Sequence, residues 1–162
     1  MNTPKNREPA TRTQTLQSRE QRILSEIDRL FRDPDFQAHF QSVALTSFQG
    51  LVQRSGLLQT VFFARGKSKT QGWTQALEVI STVLHALWPD ESLFSPGENP
   101  KFQCLDPMAL GKQDLISYQR LQLEALEVAG LTARYAEAWN EIRLNQAAQV
   151  PKAPQNPPGG AQ

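Results

Sequence analysis

The last third of the chain carries its firmest constraint. From Leu115 onward, Tyr118, Leu121, Ala125, Val128, Thr132, Tyr135, Trp139 and Ile142 recur at three- and four-residue intervals. That is the period of one face of an α-helix, and it predicts a single long helix ending near Ala147. Asp114 stands at its start, where a carboxylate can accept from free backbone N–H groups. Gly130 lies inside it and costs about 1 kcal/mol against alanine, which predicts a bend or a close helix contact there.

The same period runs through the rest. Leu16, Ile23, Ile27 and Leu30 share a face on a helix that begins near Thr13. Asp33-Pro34 ends it and starts a second helix, along which Phe36, Phe40, Val43, Ala44, Phe48, Leu51 and Val52 face inward. Ser55-Gly56 marks a joint: glycine suits a helix end, and Ser55 can cap the next helix. That third helix, about Leu57 to Arg65, is apolar nearly all round, which predicts a central position. A loop bounded by Gly66 and Gly72 leads to a fourth helix, Trp73 to Trp88, ended by Pro89. On that helix Leu77, Ile80, Val83 (or Val79), Leu84 and Leu87 face inward. Residues 89–112 read as an irregular connection with one helical turn near Pro107–Leu110. No segment alternates convincingly with period two.

The expected fold is therefore all-α: a single compact bundle of about five to six helices over residues 13–147. A disordered arm (1–12) precedes it and a disordered Pro/Gly-rich tail (148–162) follows. With 162 residues, 39% hydrophobic, such a chain can bury a core without disulfides or metals. The single cysteine, Cys104, cannot form an intramolecular bridge. No apolar run approaches the roughly 18 residues of a membrane span. The polar N-terminus lacks a signal-peptide core, so a cytoplasmic location is expected.

Net charge is +1, but its distribution is uneven. Residues 36–77 hold Arg54, Arg65, Lys67 and Lys69 and no acid, whereas residues 78–141 hold ten acids against four bases. Arg12, Arg19, Arg22 and Arg29 share one face of the first helix, broken by Glu26. Such segregation allows one basic and one acidic surface, unless folding mixes the segments.

The stretch Arg65-Gly66-Lys67-Ser68-Lys69-Thr70 resembles the end of a phosphate-binding loop. That loop requires a second glycine five residues before Gly66, where Val61 stands, and a preceding strand, where the chain is helical. A nucleotide site is not supported. His39 and His85 lie on separate helices without a partner at a recognisable spacing. No metal-binding or nucleophile motif is present. Glu124 and Glu127 read as a solvated helix face. No catalytic residue, cofactor, metal or small-molecule substrate is expected.

Two segments resemble a known family. Phe48, Leu51-Val52, Ser55-Gly56-Leu57, Gln59 and Phe63 follow the signature of the small helical subunit of the type III-B CRISPR effector, the Cmr complex. Tyr118 to Ala138, ending Arg134-Tyr135-Ala136-Glu137-Ala138, is similar to that family's closing helix. Two positions depart from the pattern: Gln49 stands where the family usually has proline, and Leu131 near its tryptophan.

The resemblance implies a non-catalytic subunit of an RNA-guided antiviral ribonucleoprotein. Its copies would stack into a filament with other Cmr subunits and contact the guide RNA–target RNA duplex. Pairing then supplies sequence specificity, and the protein need only follow backbone phosphates. The expected RNA-binding residues are Arg54, Arg65, Lys67 and Lys69, then Arg19, Arg22 and Arg29. The alternatives are a helical protein–protein adaptor without RNA binding, and an enzyme whose site brings His39, His85 and a carboxylate together.

Overall fold

The computed structural model describes residues 12–40, 42–67, 72–88, 90–97 and 101–149. The arm up to Thr11 and the tail beyond Gln149 lie outside them, as do Ser68 to Gln71. In chain order the elements are α1 (Arg12–Phe31), α2 (Pro34–His39), α3 (Ser42–Gly66) and α4 (Trp73–Leu87), then a 3-10 turn (Glu91–Leu93). After them come β1 (Phe94–Pro96), β2 (Gln103–Leu105), α5 (Pro107–Leu110) and α6 (Leu115–Gln149). The fold is helical, with one two-stranded hairpin.

α4 runs through the middle. Its Trp73, Ala76, Leu77, Val79, Ile80, Val83 and Leu84 are all buried, because α1, α3, α6 and β2 pack around it. α1 supplies Ile23, Ile27 and Leu30, α3 supplies Phe48, Val52, Leu57, Val61 and Ala64, and α6 supplies Leu121, Ala125, Val128 and Ala129. The stripe foreseen on α6 is thus buried along its middle. Its ends, Leu115 and Ile142, are exposed.

The joint expected at Gly56 is real but built differently. Gly56 has φ 80° and ψ 165°, a region open in practice only to glycine, so the ladder of α3 breaks there. A break strands the first N–H groups of the following segment. Two side chains one turn apart on α6 accept them. Leu57 N–H donates to Gln122 Oε1 (3.0 Å) and Leu58 N–H to Tyr118 Oη (3.0 Å). The Thr60 hydroxyl donates to the Gly56 carbonyl (2.8 Å). The cap therefore comes from another helix, and the exposed Ser55 is not needed for it.

Gly130 is the predicted close contact. A Cβ there would lie 2.9 Å from Gln49 Nε2, whose N–H donates to the Leu126 carbonyl (3.3 Å). Gln49 thus ties α3 to α6.

Four expectations need correction. Val43, expected to face inward, is 73% exposed. The second helix is not continuous from residue 34: it breaks between α2 and α3. Around that break Phe36 and Phe40 both meet Phe31, with ring centroids 5.3 and 4.9 Å away. The last part of α3 is only half enclosed: Leu57, Val61 and Ala64 are buried, yet Phe62 and Phe63 are 52% and 41% exposed. Finally, residues 89–112 contain the hairpin as well as the expected α5. β1 pairs with β2 as Phe94↔Leu105, Ser95↔Cys104 and Pro96↔Gln103. The other edge of β2 is satisfied by α4: Leu105 N–H donates to Ser81 Oγ (3.0 Å) and Gln103 N–H to Thr82 Oγ1 (3.1 Å). Three-residue strands are too short to display a period-two pattern.

α1 and α6 are clasped by Tyr135, whose hydroxyl donates to Asp28. This bond, with the Arg32 guanidinium, holds the Asp28 carboxyl below the usual carboxylate range. Burial and the same carboxylate push Tyr135 up to about 12.

Gly56→Ala should destabilise the fold by about 2 kcal/mol or more. The new methyl would meet a positive φ and sit 3.1 Å from Tyr118 Oη. Gly130→Ala should be close to neutral, because alanine's helix propensity offsets the displacement of one flexible amide; urea unfolding of both variants checks this contrast. The clasp has its own pH signature. A raised tyrosine pKa gives stability that is present below the unfolded value of about 10 and lost as pH rises towards the folded value of about 12. The lowered Asp28 pKa gives stability lost as pH falls below the ordinary 3.8 through the folded value. Tyr135→Phe should flatten the alkaline limb of a stability–pH curve and weaken the acid one.

Candidate RNA-contact surface

The seven basic side chains expected to bind RNA fall into two groups. Six lie among the described residues; Lys69 lies outside them.

The first group is on α1, and the fold engages it. Arg19 Nη2 lies 3.1 Å from Glu127 Oε2 and 3.4 Å from Glu124 Oε1 on α6. Arg22 Nη2 donates to the Ala86 carbonyl (2.6 Å) near the C-terminal end of α4, where free carbonyls and the helix dipole favour a cation. Arg29 pairs with Glu26 one turn back (3.0 Å).

Glu124 is the hub on the α6 side, so the expectation of a solvated face is corrected for it. Its side chain is 12% exposed. It accepts the Trp88 indole N–H (2.7 Å), while Arg120 lies 3.6 Å from it and stacks over the Trp88 ring at 5.0 Å. Here folding does mix basic and acidic segments: Arg19 meets acids of α6, whereas Arg22 meets a carbonyl of α4 and Arg29 a carboxylate of its own helix.

The second group follows α3. Arg54 precedes the Gly56 break, is exposed, and its Nε–H donates to the Gly50 carbonyl (3.2 Å) in its own helix. Arg65 lies in the last turn. Its Nη2 donates to Ser95 Oγ (2.9 Å) and to the Leu105 carbonyl (3.0 Å), so the hairpin fixes the guanidinium while leaving it exposed. Lys67 comes next, with Nζ 5.9 Å from the Phe63 ring centroid. Neither Arg54 nor Arg65 forms an ion pair with a described carboxylate. Beside Arg65 a cavity of about 320 Å³ opens between α3, the start of α4 and the hairpin, with Thr74, Leu77 and Cys104 in its wall.

The fold does not merge the groups into one patch. Arg22 sits by Ala86, whereas Phe63, two residues before Arg65, packs on Trp73 at the opposite end of α4 (ring centroids 5.0 Å apart). At 1.5 Å per residue, those ends of α4 are about 20 Å apart. Sequence reasoning missed what distinguishes them. Arg19 meets carboxylates 105 and 108 positions away, which no local pattern announces.

The His85 ring packs edge-on against Phe94 at 5.1 Å, and the His39 side chain lies outside the described residues. Among the described residues no three His, Cys, Asp or Glu side chains are grouped to hold a metal ion. No described helix is long and apolar enough to cross a membrane.

The two arginine groups should separate in stability measurements. Arg19→Ala strips Glu124 and Glu127 of a partner and should cost about 1 kcal/mol, discounted for the exposure of the pair. Arg54→Ala should change stability by less than about 0.5 kcal/mol. Thermal or urea unfolding of the two variants checks the difference.

The model of a family described as CRISPR-associated protein (Cas_Cmr5) matches residues 15–139. Searches of curated proteins and of solved structures found no match.

Proposed function

The chain belongs to the Cas_Cmr5 family of CRISPR-associated proteins, the small subunits of the type III-B Cmr complex, and from that premise we propose that it is a non-catalytic, RNA-following subunit. Its copies stack beside the guide RNA–target RNA duplex and contact backbone phosphates, while target cutting is done elsewhere in the complex.

The observation that carries this reading is the exposed basic run on α3. Arg54 and Arg65 are exposed and pair with no described carboxylate, in a segment with no acid between residues 36 and 77. Phosphate contacts ask only for cations on a firm support, since base pairing already supplies the sequence. The hairpin gives Arg65 that support. Lys67 and Lys69 extend the run, and Arg54 precedes it across the Gly56 joint. Arg19, Arg22 and Arg29 form a secondary set: Arg19 and Arg29 are already paired with carboxylates, and Arg22 lies by the other end of α4. The acid-rich stretch 78–141 and the basic α3 tip also suit head-to-tail contact between copies, an interface that propagates instead of closing.

A second reading, a helical adaptor that binds only proteins, draws support from Leu115, Ile116 and Leu123, large apolar side chains exposed on α6.

Salt dependence separates the two. Binding of the full chain to a short A-form RNA duplex should weaken linearly in log–log form as salt rises. Arg65→Ala and Lys67→Ala should each lower the slope by roughly 0.7 to 0.9. Binding that is absent, or indifferent to salt, would favour the adaptor. Co-purification from the native host should bring guide RNA and the other Cmr subunits with the chain.

A further inference from the structure

The expected phosphate contacts account for the cations at the end of α3 but not for the rings among them. Phe62 and Phe63 are 52% and 41% exposed, consecutive, and within five residues of Arg65 and Lys67. Leaving two phenyl rings half in water forfeits burial that folding would otherwise use, and adjacent exposed rings usually mark a contact surface.

The Phe63 ring is also held in place. It packs edge-on against Trp73 (centroids 5.0 Å apart, planes at 81°), itself buried at the start of α4. Lys67 lies one helical turn on, its ammonium 5.9 Å from the ring centroid. Arg65 is pinned by its two hydrogen bonds to the hairpin.

A fixed, part-exposed aromatic ring beside cations is the elementary form of a single-strand nucleic-acid platform. The base stacks on the ring and its phosphates meet the cations. A paired duplex cannot use such a face, because its bases are already stacked on one another. We propose that the C-terminal end of α3 binds an unpaired RNA nucleotide, its base on Phe63 and its flanking phosphates on Arg65 and Lys67. This rests on the reading of Arg65 and Lys67 as phosphate contacts and adds the class of RNA they hold. A protein partner is the less favoured occupant: the cations of Arg65 and Lys67 beside the rings complement a phosphodiester strand more directly than an apolar protein face.

The test uses the full chain and fluorescently labelled RNA: a twelve-nucleotide oligoadenylate, an abasic ribose-phosphate strand of equal charge, and an A-form duplex. The oligoadenylate should bind about 5-fold or more tightly than the abasic strand. Phe63→Ala and Phe63→Leu should remove that advantage without altering the salt slope or the duplex affinity, and Phe63→Trp should keep or increase it. The abasic comparison is made on the unaltered protein, so it stands even if a variant folds poorly.

Equal binding of oligoadenylate and abasic strand overturns the stacking site. If Arg65→Ala still weakens both, the phosphate reading survives without it. Equal loss on single strand and duplex in Phe63→Leu also overturns it, since the ring would then only support the cations. Unchanged RNA binding with lost capture by other Cmr subunits would make the surface a protein dock. No binding to any of the three probes removes both readings together.

Discussion

Everything at the basic end of the molecule depends on two side chains of α6 that accept backbone N–H groups of α3. Gly56 breaks the α3 ladder in a conformation that other residues cannot easily hold. The break would leave the amides of Leu57 and Leu58 stranded at a packed helix interface, at a cost of order 1–3 kcal/mol each. Gln122 and Tyr118 remove that cost, and only because they lie one turn apart on the same face of α6. The segment after the break is thereby aimed by α6. That aim carries Val61 and Ala64 into the core, Phe62 and Phe63 towards solvent, and Arg65 onto the hairpin.

The same logic of support explains the hairpin. Its three-residue strands are too short to stand alone, and α4 completes them by accepting from β2 through Ser81 and Thr82. What the hairpin returns is a pair of acceptors, Ser95 Oγ and the Leu105 carbonyl, that fix the Arg65 guanidinium. A long cation on a loose stem would lose side-chain entropy on meeting a phosphate. One already held in place loses less.

Local signals made most of the helices legible. Pro34 marks the start of α2, and Asp114 caps α6 by accepting from the Ile116 and Ser117 N–H groups (3.0 Å each). Gly56 flagged a real joint and Gly130 a real helix contact. What stayed hidden was fixed by partners distant in sequence. The cap at Leu57 comes from 65 residues away and Arg19's acids from more than 100. Periodicity also says that Phe62 and Phe63 are apolar without saying that they stay half exposed. The candidate surface was therefore half legible. The acid-free run around Arg65 can be read directly, whereas the engagement of Arg19, Arg22 and Arg29 by the fold cannot.

The most direct measurement is native-state hydrogen exchange at the Leu57 and Leu58 amides. If α6 caps the break, both should exchange only through global unfolding, as slowly as core amides such as those of Val61 and Ile80. Gln122→Ala should then release Leu57 selectively, and Tyr118→Phe should release Leu58. Rapid exchange of both amides in the unaltered protein, at the rate of a frayed helix end, would contradict the account: α6 would not be holding the joint that aims the basic end of α3.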